Sequence, residues 1–295
     1  MTGRWDLVAE VTDRLDAAGV PTPDVDARWI VDAMVDRFGP DLAGCDAGVL
    51  DALVERRAAR EPLQLVLGHT TFRWVELDCR PGVFVPRPET EVVAGAAIDA
   101  AVAVDGAPRV LEACTGTGAI ALAVASEVPR AQVVAGDRSP EAVALATENR
   151  DRLQAASAPT PWRPGPWAAP GATIEVRAAD GWGAAPASWR GSVDVCVANP
   201  PYLPASDIGS WAPEVGDHDP YDALVGGPDG HEVVDALLAA APTWLRPGGT
   251  VVVEIDDRRG PDAVAAARGA GLVDVDLVDD LTGRDRAVRG RRPPA

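Results

Sequence analysis

The segment Arg109-Val110-Leu111-Glu112-Ala113-Cys114-Thr115-Gly116-Thr117-Gly118 decides the fold of this chain. It begins as a short strand-like run, turns through two glycines and passes directly into the helix-forming sequence AIALAVASE at 119–127. Glycines at such a turn let a ligand approach the backbone N–H groups at the start of the helix. The segment therefore predicts an α/β domain with a ligand site at this turn, although its pattern G-x-G-x-x-A, completed by Ala121, is a weak signal alone.

The chain after Ala107 continues this pattern, because short β-branched runs alternate with alanine-rich helical segments. Such alternation is typical of a parallel sheet with crossover helices. The segment Leu245 to Gly249 is expected to close a helix, and the proline-rich segment Ala155 to Ala172 is expected to be an exposed, inserted loop. The predicted strands are Arg109 to Glu112, Gln132 to Gly136, Thr173 to Arg177, Val193 to Ala198, Val251 to Ile255 and Leu272 to Val278.

The N-terminal part shows a different spacing of apolar residues. Its apolar residues, such as Val8, Val11 and Leu15, fall at helical spacing, and breaks at Gly19–Pro21 and Phe38–Pro40 separate the helical runs. The acid-rich outer faces are interpreted as solvated surface. The first 60 or so residues therefore predict a small helical domain ahead of the α/β domain.

Charge and residue types exclude several classes of function. The 295 residues include 45 acidic and 27 basic residues, for a net charge of -18. Stable binding to nucleic acid is disfavoured, because it usually needs a basic face. Every basic residue is an arginine, which excludes Schiff-base chemistry on lysine and the phosphate-binding lysine of a P-loop.

Cysteine usage and hydropathy indicate the compartment. Cys45, Cys79, Cys114 and Cys196 lie far apart and, with three histidines in the chain, suggest neither a disulfide framework nor a metal site. The N-terminus is charged where a signal peptide needs an apolar stretch, and no uncharged apolar segment reaches the roughly 18 residues of a membrane span. We expect a soluble, cytoplasmic protein without a metal and without a membrane partner.

Asp137 strengthens the prediction of a ligand site at the glycine turn. It lies at the end of the second predicted strand, nineteen positions after Gly118. An acid at this point can accept hydrogen bonds from both hydroxyls of an adenosine ribose, so a nucleoside-type cofactor is favoured over a turn that only packs strand against helix. Two cofactors then compete, a nicotinamide dinucleotide and S-adenosylmethionine, and the turn alone does not choose between them.

The tetrapeptide Asn199-Pro200-Pro201-Tyr202 follows a predicted strand at the edge where open α/β sheets bind ligands. Its prolines stiffen the loop and remove two N–H donors, which leaves carbonyl acceptors. If the Asn199 side-chain oxygen and the Pro200 carbonyl accept both hydrogens of a planar NH2 group, the nitrogen lone pair is directed at a methyl donor. Tyr202 is expected to form an aromatic wall against the flat acceptor group. The tetrapeptide therefore favours methyl transfer to an amide or amino nitrogen.

With three further segments, the chain resembles the HemK/PrmC family of protein-(glutamine-N5) methyltransferases. These segments are Glu61–Gly68 with Phe72, Val85–Glu91 and Asp219–Gly230, and the second, VPRPETE, is close to the family's most distinctive string. The likeness runs from about residue 61 to the C-terminus. Members of the family methylate the glutamine of the Gly-Gly-Gln loop in class I peptide-chain release factors, and the resemblance implies that substrate here.

The resemblance also implies a fold and a division into domains. The expected fold is α/β, a seven-stranded Rossmann-like class I methyltransferase sheet whose last strand, around Arg286 to Arg289, runs antiparallel. A small helical N-terminal domain for substrate recognition is expected over residues 1–80 and an interdomain linker over 81–106. The S-adenosylmethionine-dependent methyltransferase domain is expected over 107–295.

The same resemblance assigns site residues. Asn199, Pro200, Pro201 and Tyr202 are expected to hold the glutamine amide, and either Asp180 or Trp182 to meet adenine. Arg87 and Glu89 are expected to line the pocket or to brace the domain junction. The residues expected around S-adenosyl-L-methionine are Glu112, Cys114, Thr115, Gly116, Thr117, Gly118, Asp137, Asp180, Trp182 and Asn199.

Two departures from the family pattern suggest a divergent member or a paralogue. Glu112-Ala113-Cys114 stands where the family usually has Asp-x-Gly, so the first glycine is missing. Cys114 is small enough to fit most backbone conformations, and we expect reduced cofactor affinity rather than lost binding. Glu254-Ile255-Asp256 stands where the family often has Glu-Ile-Gly.

Two other functions stay open at this stage. Asn-Pro-Pro-Tyr also occurs in enzymes that methylate the amino groups of adenine or guanine, and such an enzyme needs a basic surface. The candidate residues are Arg284, Arg286, Arg289, Arg291 and Arg292, which acidic neighbours lead us to interpret as a solvated edge strand and tail. The second alternative is a non-catalytic binding module that has lost its cofactor affinity through Cys114.

Overall fold

The computed structural model describes residues 4–40, 42, 46–155 and 172–295. Cys45 and nearly all of the predicted proline-rich loop, residues 156–171, lie outside the described residues. The chain divides into two compact units. The first comprises Met1–Thr70, Cys79–Pro81 and Trp211–His218, and the second comprises Thr71–Asp78, Gly82–Ser210 and Asp219–Ala295. The predicted domain limits and the substrate-recognition role of residues 1–80 stay predictions.

The described part of the chain contains both helices and strands. The helices are α1 (Arg4–Ala17), α2 (Pro23–Phe38), α3 (Ala47–Ala58), α4 (Leu63–Leu67), α5 (Thr90–Val102), α6 (Ala119–Glu127), α7 (Pro140–Ala155), α8 (Pro213–Gly216), α9 (Tyr221–Leu224), α10 (Glu232–Trp244) and α11 (Gly260–Gly269). The strands are β1 (His69–Phe72), β2 (Val75–Asp78), β3 (Arg109–Ala113), β4 (Gln132–Asp137), β5 (Thr173–Ala178), β6 (Val193–Ala198), β7 (Leu203–Pro204), β8 (Val225–Gly227), β9 (Leu245–Glu254), β10 (Val273–Asp279) and β11 (Asp285–Arg291).

The first unit is built on α1, α2 and α3. Their apolar faces meet in a core that fully buries Val11, Leu15 and Ile30, as the helical spacing of these residues requires. A buried ion pair also lies in this unit. The Arg57 guanidinium donates to Asp26 over 2.7 Å and to Glu214, which lies in α8, over 3.0 Å.

The second unit contains a seven-stranded sheet among its described residues, in the order β10-β11-β9-β6-β3-β4-β5. β3 pairs in parallel with β4 and β6, β4 with β5, and β6 with β9. β11 is antiparallel to both of its neighbours, β9 and β10. The predicted class I methyltransferase sheet is therefore confirmed, with its antiparallel strand at Asp285–Arg291.

One predicted boundary is wrong. The strand expected over Val251 to Ile255 is β9, which begins six residues earlier, at Leu245. The helix before it does end at Trp244. The following Pro247 and Gly248 lie inside the strand, because the register between β6 and β9 shifts between Val193 and Val195. Such an irregularity gives a proline a place within a sheet.

The strand order positions the site. The chain moves outward from β3 through β4 to β5 and then returns to place β6 on the other side of β3. At such a reversal the loops after neighbouring strands diverge and leave a crevice at the carboxyl edge of the sheet. The turn at Cys114–Gly118, Asp137 and Asn199–Tyr202 follow or end three adjacent strands at this edge.

Apolar side chains cover both faces of the sheet. On one face, α5 and α6 pack on the sheet through residues such as Val93, Ile120 and Leu122. On the other face, α10 and α11 pack on the sheet, α10 through Leu238. Within the described part of the chain, no helix is long and apolar enough to cross a membrane.

Candidate active site

The predicted cofactor turn connects β3 to α6. Thr115 N donates to the carbonyl of Gly136 in the neighbouring strand over 2.9 Å, and Gly118 N closes the turn on the Thr115 carbonyl over 2.8 Å. Gly116 and Gly118 both have positive φ, +55° and +89°. A Cβ placed on Gly116 would meet no atom within 4 Å, so this face of the turn is open for a ligand.

Cys114 adopts a strained conformation. Its φ is +60°, in the left-handed region that costs a residue with a Cβ roughly 1–2 kcal/mol. The expectation that a small residue fits here is thus correct only in part, because the side chain is accommodated but the backbone favours glycine. A glycine at this position would be free of that cost.

The Glu112 side chain stabilises the turn through hydrogen bonds. Its carboxylate accepts hydrogen bonds from the Thr115 hydroxyl and from Ala121 N, the latter over 3.0 Å. Burial raises the pKa of Glu112 to about 8, although these hydrogen bonds act in the opposite direction. Glu112 lies near the carboxyl end of β3. Its side chain joins the turn, through Thr115, to the start of α6, through Ala121.

Asp137 ties the turn to the next strand. Its Oδ2 accepts from Gly116 N and its Oδ1 accepts from Ser139 N, both over 2.9 Å. Each carboxylate oxygen can accept more than one hydrogen bond. The carboxylate is therefore fixed by backbone donors and keeps acceptor capacity for a diol.

A cavity of about 960 Å³ lies at this edge of the sheet. It is large enough for a nucleoside cofactor together with a side chain, since ligand sites typically occupy 300–1,000 Å³. Of the predicted site residues, those that line it are Glu112, Cys114, Thr115, Gly116, Thr117, Asp137, Asp180, Trp182, Asn199 and Pro201. Gly118, Pro200, Tyr202, Arg87 and Glu89 are described but are not part of this lining.

Thr117 lies in the cavity wall. Its side chain is almost fully buried, and among the described residues its Oγ1 has no hydrogen-bond partner. A buried hydroxyl without a partner costs free energy. Because this oxygen is itself inaccessible, a ligand in the cavity would reach it only if the turn moved.

Trp182 and Asp180 also line the cavity. The Trp182 indole N–H donates to the Leu237 carbonyl over 2.9 Å, and its ring stacks on Trp244 at a centroid distance of 6.2 Å. Trp182 is thus anchored in the core while one part of it faces the cavity. Both residues line the cavity, so the choice between them as the adenine contact stays open.

Asn199 enters the cavity from the end of β6. Its Nδ2 donates to the hydroxyl of Thr90 over 3.2 Å, and Thr90 also lines the cavity. One of the two amide hydrogens is therefore used, and Oδ1 is the end of the side chain that can accept from a ligand. Sequence reasoning did not select Thr90, although it belongs to the PRPETE string.

Two glycines let a second loop close on the Asn-Pro-Pro-Tyr segment. A Cβ on Gly226 would lie 2.4 Å from the Pro201 carbonyl oxygen, and a Cβ on Gly230 would lie 2.6 Å from the Tyr202 carbonyl oxygen. The small ladder between β7 and β8 lies at the same place. The GGPDG sequence is thus needed for the close approach of two backbones.

Tyr202 points toward a buried carboxyl group. Its hydroxyl donates to Oε1 of Glu254 over 3.2 Å, at the end of β9. Burial raises the pKa of Glu254 to about 7, and the hydroxyl groups of Thr90 and Tyr202 and the charge of Arg286 act against this effect. The predicted aromatic wall stays a prediction, since Tyr202 packs on the apolar layer that contains α10.

Arg87 and Glu89 lie beside the cavity. The Arg87 guanidinium pairs with Asp219, whose side chain is fully buried, and lies 4.9 Å from the ring centre of Phe84. Phe84 itself lines the cavity. Glu89 is exposed. Arg87 therefore braces the wall from behind through Phe84 and Asp219.

The described residues include no group of three or more His, Cys, Asp or Glu side chains arranged to hold a metal ion.

Polar residues that sequence reasoning did not select are Thr90, Asp219 and Glu254. Each gave a signal, because Thr90 and Asp219 lie in the quoted motifs and Glu254 ends a run of three valines. A charged residue at the end of a fully buried strand is uncommon unless it has a partner.

Comparison with known proteins adds independent findings. No family model matches the chain. The chain is 39% identical over 291 residues to the release factor glutamine methyltransferase of Streptomyces coelicolor, and the match covers 97% of this chain and 96% of that protein. It is 38% identical over 299 residues to the release factor glutamine methyltransferase of Deinococcus radiodurans, covering 97% and 98%. A methyltransferase from Pyrococcus furiosus shares the fold, with a TM-score of 0.50, 16% identity and coverage of 74% and 89%.

Proposed function

The chain belongs to the release factor glutamine methyltransferase family, and we propose that it methylates the glutamine of the Gly-Gly-Gln loop in a class I peptide-chain release factor. The methyl donor is S-adenosyl-L-methionine and the acceptor is the side-chain amide nitrogen. One observation carries the proposal. The glycine turn with Asp137 and the amide acceptor Asn199 line the same cavity.

The residues present fit S-adenosylmethionine. Asp137 keeps acceptor capacity for a ribose diol, and Gly116 leaves the turn open to close approach. Asp180 and Trp182 form the wall for a flat base. When bound, the cofactor would supply an electrophilic methyl group on a positively charged sulfur.

The chain's own contribution to the reaction is positioning. The Asn199 Oδ1 accepts one hydrogen of the substrate amide, and the Pro200 carbonyl, in a loop stiffened by two prolines, accepts the other. This orientation directs the nitrogen lone pair toward the methyl group, and holding two reactants in line is worth about 7–11 kcal/mol. The same acceptors stabilise the positive charge that grows on nitrogen. Tyr202 is assigned the wall beside the amide.

The charge distribution favours a protein substrate over a nucleic acid. Three of the arginines near the C-terminus are matched by an acid: Arg286 with Asp280 at 3.0 Å, Arg291 with Asp274 at 3.6 Å, and Arg289 with Asp276. This strand therefore offers little net positive charge to phosphates. A net charge of -18 attracts a basic protein at long range.

We assign residues 1–80 to recognition of the release factor and 81–106 to the connection with the methyltransferase domain. Cys114 and Cys196 are free thiols, which agrees with the cytoplasmic location that a release factor substrate requires. Arg87 and Glu89 are assigned a bracing role beside the substrate pocket.

The test is methyl-site mapping. The purified chain is incubated with a class I release factor and S-adenosylmethionine, and the release factor is digested and analysed by mass spectrometry. The expected result is one added methyl on the glutamine of the Gly-Gly-Gln loop. Methylation of RNA or DNA but not of the release factor would overturn the proposal, and so would calorimetry that detects no cofactor binding.

A further inference from the structure

We propose that Asn149 is a positioning residue for the cofactor turn, because its side chain holds a peptide group that the glycines of the turn leave free to rotate. The inference rests on the proposed function, since it takes the turn to be the S-adenosylmethionine site. Asn149 lies in α7 and is almost fully buried, with 1% of its surface exposed. It is not among the residues that line the cavity, so it acts on a ligand only through the turn.

The Asn149 carboxamide joins two distant segments of the chain. Its Nδ2 donates to the Thr117 carbonyl in the turn over 2.9 Å and to the Asp78 carbonyl at the end of β2 over 3.3 Å. Its Oδ1 accepts from the backbone N–H of Asp78 over 2.8 Å. A carboxamide has two N–H donors, and both are used here. The Asp78 N–H can bond only to the oxygen end, which fixes the orientation of the carboxamide.

The sequence of α7 brings Asn149 to this place. The buried face of the helix, at the three- and four-residue spacing of one helical face, comprises Ala142, Leu145, Ala146, Asn149 and Leu153. A Cβ on Gly118 would lie 3.4 Å from the Ala146 Cβ, so α7 packs closely against the turn. Asparagine is unfavourable in a helix interior, and a buried amide without partners costs free energy. On a face that is otherwise apolar, the three hydrogen bonds of Asn149 offset this cost.

The bond to Thr117 fixes one peptide group of the turn. The Thr117 carbonyl and the Gly118 N–H belong to the same planar peptide unit and point in opposite directions. Asn149 binds the carbonyl, and the Thr115 carbonyl accepts from the N–H over 2.8 Å. Glycine populates positive and negative φ about equally, so the backbone at Gly118 does not by itself prevent rotation of this peptide. Asn149 prevents it, because a rotated peptide would turn the Gly118 N–H toward the donors of Nδ2.

Rotation of this peptide would affect the proposed cofactor site. It would break the bond between Gly118 N and the Thr115 carbonyl that closes the turn. Gly116 lies between these two residues and donates to Asp137, so the open face of the turn and the proposed ribose acceptor would lose their fixed geometry. A ligand would then have to order the turn on binding, which lowers its affinity.

The test compares Asn149→Asp and Asn149→Ala with the wild type. Aspartate has nearly the same shape and keeps an acceptor for the Asp78 N–H but loses both donors, and alanine loses all three bonds without adding a charge. We expect both variants to raise the Kd for S-adenosylmethionine, measured by calorimetry, by at least about tenfold. In hydrogen exchange followed by mass spectrometry, residues 112–122 should exchange at least about tenfold faster, while α1, in the other compact unit, stays within about threefold.

Gln154→Glu is the matched control, because it makes the same change from amide to acid at an exposed position of the same helix. This variant should bind the cofactor as the wild type does. Urea unfolding of each variant separates loss of the fold from loss of positioning, since a role in stability alone would lower the unfolding midpoint and leave the Kd unchanged.

A measurement on the wild type does not depend on the folding of any variant. Cofactor that stabilises the turn should slow exchange of the Asp78 amide, which Asn149 binds, by at least about threefold. An Asp78 amide that is unaffected by bound cofactor, or a folded Asn149→Asp protein with the wild-type Kd, overturns the inference. If the wild type binds no S-adenosylmethionine, the proposed function fails instead, and exchange of residues 112–122 in Asn149→Ala still decides whether Asn149 holds the turn.

Discussion

The backbone N–H of Gly116 donates to the carboxylate of Asp137 over 2.9 Å. This bond joins the turn after β3 to the end of β4, so the two parts of the predicted cofactor site are one rigid piece before any ligand arrives. Preformed sites lose less free energy on binding, because fewer groups must be ordered. The relationship also makes Asp137 the residue whose removal should affect cofactor binding most.

Asp137→Ala is expected to raise the Kd for S-adenosylmethionine by at least about tenfold. The variant removes the carboxylate that we propose as acceptor for the ribose hydroxyls, and hydrogen bonds to charged groups are worth about 1.5–3 kcal/mol each. Calorimetry measures the change. Asp151→Ala, at an exposed position of α7, is the control and should bind as the wild type does. Equal affinity of Asp137→Ala and the wild type would remove Asp137 from the site.

Cys114→Gly is expected to increase the free energy of unfolding by about 0.5–1 kcal/mol. Glycine relieves the cost of the positive φ at this position, and the greater entropy of glycine in the unfolded chain offsets part of the gain. Denaturant titration measures the difference. Ala113→Gly, one residue earlier in β3, should instead lower stability by about 1 kcal/mol. A destabilised Cys114→Gly protein would show that the strain argument is wrong.

Glu112 predicts a dependence of stability on pH. Burial raises its folded-state pKa from 4.5 to about 8, so between these values the folded state keeps a proton that the unfolded state has released. The folded state binds more protons in this window, and its stability therefore falls as the pH rises from about 4.5 to about 8. Below the window both states are protonated and there is no effect.

The test of this dependence is Glu112→Gln, which cannot ionise. The free energy of unfolding of the wild type, relative to that of the variant, should fall by on the order of 1–3 kcal/mol between about pH 5 and pH 8. The difference between the two proteins cancels the contributions of other titrating groups. One such group is Glu214: desolvation acts to raise its pKa, but hydrogen bonds from Arg60 and Arg57 lower the pKa to about 2. A difference that is constant with pH would contradict the assignment.

Gly226→Ala is expected to lower kcat by about tenfold or more while cofactor binding is retained. The added Cβ would lie 2.4 Å from the Pro201 carbonyl oxygen and 2.5 Å from that of Gly230, so the tetrapeptide must shift, and small displacements of a positioning group cost large factors in rate. Methylation kinetics and calorimetry measure the two effects. Gly269→Ala, where a Cβ meets no atom within 4 Å, should behave as the wild type.

The sequence predicted those features that follow from local patterns. The turn at Cys114–Gly118, the acid at Asp137 and the tetrapeptide at Asn199–Tyr202 each follow or end a strand that could be recognised from its β-branched residues. Because the strands are parallel, their carboxyl ends had to meet at one edge. The neighbouring positions of these three segments were therefore accessible from the order of the elements.

Features that depend on contacts between distant segments were not accessible. The bond from Asn199 to Thr90 joins positions 109 residues apart, and Tyr202 meets Glu254 across 52 residues. The early start of β9 depends on its register with β6. The positive φ of Cys114 is a property of the folded turn, whereas residue size alone suggested an easy fit.

The most direct test of the central claim is single-turnover methyl transfer by Asn199→Ala under conditions where S-adenosylmethionine is bound. If Asn199 holds the substrate amide beside the donor, the variant should retain the wild-type Kd for the cofactor within about threefold and transfer the methyl group at least about 100-fold more slowly. Transfer to the glutamine at the wild-type rate would contradict the account.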